Sequence, residues 1–541
     1  MYLNTTIQKF FLIISTIIIV TSYGYSSYSY SGNKLTFFLF FFSVHLYVVI
    51  SFFLSNLFFD KVLSTFLWLG FYMTVFFKIL FKAYSIKEGD GNFTFLPDQF
   101  NKVLIWSSVA ILAFTSSSLF HKFLFKIKKL NDEDNFKLTS FYKRYRYEIL
   151  FLFFILIISV NFSNFKFEMY QKGLMPLHQT HPFVSILLKF FVIFGLTAIS
   201  TILIDYEIKS KNKLTILILL IFYFEIITTN TVLLSRSYIF LGTFILFSIL
   251  ISFRVKKENA NYFNSFIFNI IIFVSLFLIN VQVINDIRTS KYFDPEFFYL
   301  KKINKINIEK YESIKEFYIL NQYNKNLDLD EKILQNEKNL SEKNTKIINN
   351  EKKTLEKNIM KIEENKNISY EKKIYNNFKY IAYLIQSRFI GFESLAIVTS
   401  SNRQSNDAFW NAFQERITYQ PRESYYAINF MNVGGTNLES GASRQYSVFL
   451  PGVIAFFSYH GSLVFLFTSL FLLHFFTSFI EKFALSLSFN SKIFSSFVGF
   501  TLAYRLIHFG YVPKNSYMLL AAIVISMFGI FIISKLIKRY Y

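Results

Sequence analysis

The sequence predicts an all-α, polytopic integral membrane protein with about 12 transmembrane helices and one large, mostly helical periplasmic loop. Of its 541 residues, 53% are hydrophobic and only 17% are charged, which is too apolar for a soluble chain of this size. Apolar stretches of about 20 residues, the length that a helix needs to cross a bilayer, recur along the chain. Lipid is therefore expected to be part of its solvent.

The predicted spans divide the chain into three parts. Residues 1–285 carry helices one to nine, residues 286–448 form the loop, and residues 449–541 carry helices ten to twelve. No small-residue cleavage pattern follows the first span, so we expect an uncleaved helix. The spans are 8–24, 35–58, 61–81, 102–124, 148–164, 184–204, 214–234, 237–253, 265–285, 449–475, 492–511 and 516–536.

Basic residues in the short connections predict the orientation, because cytoplasmic loops carry an excess of Lys and Arg. The clearest case is the connection between the fourth and fifth spans, which includes Lys128, Lys129, Lys143 and Arg144. Counting outward from it places both termini in the cytoplasm and the large loop on the periplasmic side. The net charge of +22 then partly reflects the basic residues of the cytoplasmic loops, and a nucleic-acid partner is not expected.

The large loop has two parts of different composition. Residues 301–373 are rich in Lys, Glu and Asn, with apolar residues at helical spacing, which predicts a charged helical or disordered insertion. A partner-binding coiled coil is the alternative. Residues 375–448 are instead rich in aromatic residues, glycine and arginine, which favours a packed, functional region.

Arginine is rare in this chain and unevenly placed. Only 12 of the 57 basic residues are Arg, and eight of these fall on the periplasmic side of the predicted topology. Arginine presents a rigid, permanently charged fork that suits phosphate or carboxylate, so this distribution predicts a polyanionic ligand. The alternative is pairing with lipid phosphates or acidic neighbours. The candidate ligand-binding residues are Arg236, Arg288, Arg388, Arg444 and Arg505.

Four segments resemble the Wzy-type O-antigen and oligosaccharide repeat unit polymerases, which are membrane glycosyltransferases with a GT-C-like layout. The segments are MYQKGLMP (169–176), LLSRSYIF (233–240), RFIGFESL (388–395) and YSVFLPGVIAFFSYHGSLVFLF (446–467). The resemblance implies a bacterial inner-membrane enzyme that polymerises undecaprenyl-pyrophosphate-linked oligosaccharides at the periplasmic face without metal or cofactor. A flippase and a chain-length regulator are the further partners that it suggests. The charged insertion departs from the family pattern.

That chemistry assigns roles to individual residues. Fixed arginines would stabilise the departing pyrophosphate, and by the resemblance Arg236, Arg288 and Arg388 are counterparts of the family's arginines. The candidate catalytic residues, which would orient or deprotonate the attacking hydroxyl, are Glu393, His460 and His508. Glu393 has pairing with Arg388 as its alternative role. The candidate sugar-binding aromatic residues, which could equally be core residues, are Trp410, Tyr425 and Tyr426.

Two other functions fit the same layout. An O-antigen ligase would share the architecture but transfer finished glycan to the lipid A core. A flippase or transporter of lipid-linked oligosaccharide could also have twelve spans, although a loop of this length is uncommon without a function of its own. A metal-dependent glycosyltransferase is disfavoured, because the first outer loop, GYSSYSYSGNK, contains no acidic residue, and the absence of cysteine excludes thiolate metal sites.

Overall fold

The chain is all-helical in the computed structural model, as the sequence predicts. No β-strand occurs among the residues that the structure describes. These residues are 5–73, 75, 92–94, 96–124, 133–171, 174, 181–211, 215–235, 275–276, 279–284, 286–288, 291, 392–415, 424–431, 451–488, 491–509 and 513–540.

The chain divides into two compact units. The first consists of Met1–Asn285, Arg388–Gly434 and Tyr446–Tyr541, and the second consists of Asp286–Ser387 and Gly435–Gln445. The first unit therefore combines the membrane helices with much of the second half of the predicted loop. Almost all described residues belong to it.

Four helices are described before residue 125. Asn33 caps the second, because its side-chain oxygen accepts hydrogen bonds from the backbone N–H groups of Leu35 and Thr36 at 2.9 and 3.3 Å. The second and third helices continue into short π-helical turns, Ile50–Leu54 and Trp68–Met73. The four are α1 (Thr5–Ser29), α2 (Lys34–Val49), α3 (Phe58–Leu67) and α4 (Pro97–Leu124).

Five helices follow in the described part of residues 133–232. Two of them join through the π-helical turn Phe191–Gly195 into one continuous apolar rod. The five are α5 (Glu133–Arg144), α6 (Arg146–Phe167), α7 (Pro182–Phe190), α8 (Leu196–Lys211) and α9 (Ile216–Val232).

The C-terminal part begins with short helices and ends with long ones. Serine side chains cap several of these helices; Ser405, for example, accepts a hydrogen bond from the backbone N–H of Ala408 at 3.0 Å. The helices are α10 (Phe392–Ser400), α11 (Asn406–Phe413), α12 (Tyr425–Asn429), α13 (Gly452–Phe457), α14 (Leu463–Leu487), α15 (Lys492–Ile507) and α16 (Pro513–Tyr540).

The tenth predicted span differs from the observed helix. The sequence predicts a span over 449–475, whereas α14 begins at Leu463 and ends at Leu487. Gly461 adopts a left-handed conformation with φ of +81°, which ends the preceding turn, and Ser462 then caps α14. Residues 451–461 therefore form a separate, short helical segment.

Six described helical stretches are long and apolar enough to cross a membrane, which supports a membrane-embedded protein. They are Lys34–Leu54, Pro97–Leu124, Arg146–Phe167, Phe183–Lys211, Leu463–Leu487 and Ser516–Ile537. Two shorter apolar helices are Thr16–Tyr25 and Ile216–Val232. The eighth predicted span (237–253) and most of the ninth (265–285) lie outside the described residues.

The helices of the first unit have two distinct ends. At one, which we call the loop end, the Phe392 ring of α10 lies 5.2 Å from the Phe100 ring of α4. The backbone N–H of Gly452 also donates to the carbonyl of Phe509 there, at 2.9 Å. At the other, which we call the opposite end, Arg146 at the start of α6 meets Glu207 near the end of α8. Each end carries its own polar network.

Candidate functional site

Short helices cover the loop end and are tied to one another through the backbone. The N–H of Ser405 donates to the carbonyl of Tyr459 at 2.8 Å, and the side chain of Gln404 donates to the carbonyl of Ser458 at 2.8 Å. Arg403 donates to the carbonyl of Asn429 at 3.0 Å, and so holds the end of α12. These contacts bring together three segments that are far apart in the sequence.

An aromatic core supports this arrangement. Phe430 stacks on Tyr459 with ring centroids 4.5 Å apart, and Phe456 contacts the same tyrosine at 5.2 Å. Phe409 of α11 packs edge-on against Phe465 at the start of α14, at 4.9 Å. Because buried aromatic rings contribute large apolar areas, α11 and α12 are held firmly over the helix ends.

A group of polar residues lies on α11 and just after its end. Asp407 and Asn411 are four residues apart on one side of α11, and Glu415 follows two residues after the helix ends at Phe413. Tyr425 faces this group: its backbone N–H donates to Glu415 Oε1 at 2.8 Å, and its hydroxyl hydrogen-bonds to the side chain of Asn411. We call these four residues the polar face.

Glu415 and Tyr425 of the polar face are half-buried, and this burial changes their acid–base properties. Burial raises the pKa of Glu415 to about 7, although the hydrogen bond from the backbone of Tyr425 acts in the other direction. Burial also raises the pKa of Tyr425, and the charge of Asp407 adds to that effect. Glu415 is therefore a carboxyl group that can take up and release a proton near neutral pH.

Glu415 is not among the residues that the sequence alone singled out. The signal that could have found it is the four-residue spacing from Asp407 through Asn411. That spacing predicts a shared helix side, but it shows neither that α11 ends at Phe413 nor whether Glu415 is exposed or buried. Only the docking of α12 against α11 reveals the partly dehydrated surroundings of the carboxyl.

The three predicted catalytic residues occupy different parts of the loop end. Glu393 lies in the first turn of α10 and is half-buried. His460 stacks on the ring of Phe465 with centroids 4.0 Å apart. His508 is buried just after α15, where its Nδ1 donates to the carbonyl of Tyr504 at 3.0 Å.

Two of the predicted phosphate-binding arginines fall within the described residues. Arg505 is half-buried and its Nε donates to Ser516 Oγ at 3.0 Å, which links α15 to α16. Arg288 is half-buried and belongs to the second unit. The other three, Arg236, Arg388 and Arg444, lie outside the described residues, so their roles stay predictions.

The predicted sugar-binding aromatic residues differ in exposure. Trp410 is 46% exposed and Tyr425 is half-exposed, so a ligand can reach both rings. Tyr426 is buried, and its ring is almost parallel to that of Tyr459 at an interplanar angle of 6°. Packing against the aromatic core is the observed role of Tyr426, whereas stacking on a sugar stays a prediction for Trp410 and Tyr425.

A second polar network lies near the opposite end, between α2, α3, α4 and α14. His474 Nε2 lies 3.0 Å from both Asp60 Oδ1 and the hydroxyl of Tyr47, and its Nδ1 lies 3.1 Å from Ser117 Oγ. Asp60 also accepts hydrogen bonds from Ser118 at 2.8 Å and from Ser55. The Ser117–His474–Asp60 order resembles a catalytic triad, but all three side chains are fully buried, which favours a structural role.

Two other carboxylates of the opposite end are also fully engaged. Glu481 of α14 accepts hydrogen bonds from the backbone N–H groups of Phe58 and Phe59 at 2.8 and 2.7 Å, and so caps α3. Arg146 donates two hydrogen bonds to Glu207, at 2.9 and 2.7 Å. These contacts join distant helices within the apolar interior.

Comparison with known proteins gives no relative for this chain: no family model, no curated protein and no solved structure matches it.

Proposed function

We propose that this chain is a membrane glycosyltransferase that polymerises undecaprenyl-pyrophosphate-linked oligosaccharide repeat units at the periplasmic face of the bacterial inner membrane. The observation that carries the proposal is the polar face beside the exposed ring of Trp410. Sugar hydroxyls both donate and accept hydrogen bonds, so carboxylates and amides are suitable partners for them. An exposed aromatic ring offers its face to the apolar side of a sugar ring.

The topology that goes with this function has twelve spans, with both termini in the cytoplasm and the loop in the periplasm. Basic residues of the opposite end support this orientation. Lys137, Lys143 and Arg144 precede α6, and Lys209 and Lys211 end α8. The loop end, with the polar face, would then be the periplasmic end.

The reaction forms one bond and breaks one. An acceptor hydroxyl attacks the anomeric carbon of the donor sugar, a new glycosidic C–O bond forms, and the bond from that carbon to the pyrophosphate oxygen breaks. The hydroxyl proton passes to the Glu415 carboxylate, and the negative charge leaves on the lipid pyrophosphate. Arg236, Arg388 and Arg505 are the proposed stabilisers of that charge, since charge-assisted hydrogen bonds strengthen as the charge develops.

The decisive experiment supplies the purified protein, in lipid nanodiscs, with a single lipid-linked repeat unit from the source bacterium. We expect a ladder of glycan lengths, and we expect Arg236→Ala and Arg388→Ala to abolish it while the protein still inserts and purifies normally. Lysine at either position should not restore the ladder, because it lacks the two-point fork. Chelation of divalent cations should leave the ladder unchanged.

Arg144→Ala is the matched control, since Arg144 is an exposed arginine of the opposite end. It should give the wild-type ladder. Transfer of preformed polymer to the lipid A core without chain growth would identify a ligase instead. Wild-type ladders from both the Arg236 and Arg388 variants would contradict the pyrophosphate assignment.

A further inference from the structure

A second set of connected polar side chains, which we call the polar track, lies between the helices α6, α8 and α9, away from the polar face. At its centre is Glu225 of α9, whose side chain is 0% exposed. Thr197 of α8 donates to Glu225 Oε1 at 3.1 Å, and Thr229, one turn further along α9, also hydrogen-bonds to the carboxyl group. Asn161 of α6 donates to Thr229 Oγ1 at 3.1 Å and so extends the track to the third helix.

The track continues toward the loop end. Asn230 donates to the side-chain oxygen of Asn280, and Asn280 in turn donates to Thr231 at 2.6 Å. The backbone N–H of Ser235 then donates to the carbonyl of Asn230 at 3.1 Å. Polar side chains thus lead from the middle of α9 to its C-terminal end, beside residues 233–235 that precede Arg236.

Three oxygens of the track lack a hydrogen-bond donor among the described residues. They are Glu225 Oε2, Asn161 Oδ1 and Asn230 Oδ1, and all three are buried. The amide of Asn161 is oriented by Thr228, whose own hydroxyl donates to the carbonyl of Phe224 and can only accept from Asn161 Nδ2. The amide oxygen of Asn161 therefore points away from the hydroxyls of Thr228 and Thr229, which leaves Glu225 Oε2 as the open oxygen beside these threonines.

No positively charged side chain pairs with Glu225 in the part of the chain that is described. The ionisable groups of the neighbouring helices lie at the helix ends: Arg146 pairs with Glu207, Lys209 pairs with Asp205 at 2.7 Å, and Lys166 and Lys189 lie over the rings of Phe167 and Tyr170. An ionised carboxylate without a partner inside a low-dielectric interior costs several kcal/mol. A cation at Glu225 would remove that cost.

We propose that Glu225 is a binding site for a small monovalent cation, either Na⁺ or a proton, that enters from the loop end. The ligands are hard oxygen atoms: the free carboxylate oxygen of Glu225 and the hydroxyl oxygens of Thr197 and Thr229, which hydrogen-bond to the same carboxyl group. Such oxygens suit an alkali cation, and a proton on Oε2 meets the same need for neutralisation. The site is independent of the glycosyl transfer that we propose.

Thermal unfolding of the detergent-solubilised protein tests the site without any activity measurement. The midpoint Tm is measured against Na⁺ concentration at constant ionic strength, with choline as the replacement ion, and separately against pH at fixed Na⁺. A ligand that binds only the folded state raises Tm, here by roughly 2 °C for each tenfold increase in its concentration above the dissociation constant. Dependence on Na⁺ at constant pH identifies an alkali cation, whereas dependence on pH alone identifies a proton.

Glu225→Gln should remove the dependence, because the neutral amide needs no cation. The matched control is Glu148→Gln, which removes an exposed carboxylate from α6 and should retain the wild-type response. If Glu225→Gln does not fold, Thr197→Val takes its place and should shift the cation or proton midpoint by about threefold or more, through loss of one hydrogen bond. A wild-type Tm that responds to neither cation, or a response that persists unchanged in these variants, overturns the proposal.

Discussion

The two ends of the first unit use the same kinds of residue in different ways. At the opposite end Asp60, Glu207 and Glu481 are fully buried, and each is matched by a basic side chain or by backbone N–H groups. At the loop end Glu415 is half-buried, and its contact with the backbone of Tyr425 offsets only part of the cost of its burial. Complete pairing makes a carboxylate structural, and incomplete pairing leaves it reactive.

The largest effect is expected when one partner of the buried Asp60–His474 pair is removed. His474→Leu should leave the buried Asp60 carboxylate without its basic partner, with only the hydroxyls of Ser55 and Ser118 as donors, at a cost of about 3–5 kcal/mol in the free energy of unfolding. Denaturant unfolding of the purified protein measures the loss. Asp60→Leu should cost a similar amount.

The double variant Asp60→Leu/His474→Leu is the control, because it removes both partners together. It should be less destabilised than the sum of the two single variants. Additive losses would mean that Asp60 and His474 do not act as a pair, and would remove the main difference between the two ends.

The next largest effect is expected at the loop end and concerns activity. Glu415→Gln should lower the rate of glycan extension by about 100-fold, because an amide cannot accept the hydroxyl proton. The pKa of Glu415 is raised to about 7, and a base must be deprotonated to act. Wild-type activity should therefore be constant above pH 7 and fall about tenfold for each pH unit below it.

Initial rates of the wild type and of Glu415→Gln, measured between about pH 5 and pH 9, give this profile. The residual activity of Glu415→Gln should lack the acid limb, which is the fall in rate below pH 7. The Tm of this variant should stay close to the wild-type value. Glu393→Gln is the informative comparison, since Glu393 is the carboxylate among the three catalytic residues that the sequence predicts. If Glu393→Gln loses the acid limb and Glu415→Gln keeps it, the base is Glu393 and our assignment is wrong.

The smallest of these effects tests how tightly the opposite end is packed. A Cβ atom on Gly499 would collide with Glu481 Oε2 and lie 3.0 Å from the backbone nitrogen of Phe59, so Gly499→Ala should displace the cap of α3. We expect a loss of about 1–3 kcal/mol in the free energy of unfolding. The same denaturant experiment measures it.

Gly529→Ala is the matched control, because a Cβ atom at Gly529 of α16 meets nothing within 4 Å. Alanine there should leave the protein unchanged or stabilise it by up to about 1 kcal/mol through helix propensity. Equal effects of the two substitutions would show that the close approach at Gly499 does not matter for stability.

Much of the fold could be predicted from the sequence, since long apolar stretches have few alternatives to helices in a membrane. The start of α14 could not, although Gly461 and Ser462 carry the local signal. Apolar residues flank the short segment 458–462 on both sides, and hydropathy averaged over about 20 residues does not register a helix end there. Composition therefore favoured one long span where the chain forms two helical segments.

The candidate site could be predicted only in its residue types. The sequence indicated that the aromatic residues and arginines of 375–448 matter, but it could not separate Tyr425 from its neighbour Tyr426. These adjacent side chains point to opposite surroundings, one half-exposed beside Glu415 and one buried against Tyr459. That difference depends on how α12 docks, which no local pattern records.

By itself, the sequence determined that this chain is helical and apolar enough to live in a membrane, because helix formation and hydropathy are local properties of the residues. The tertiary structure alone decided which polar residues meet. Asp60 and His474 are far apart in the chain, as are Thr197 and Glu225, and neither pair has a sequence signature. Such distant contacts decide whether a buried charged group has a hydrogen-bonding partner. They therefore also decide which polar residues are structural and which are available for function.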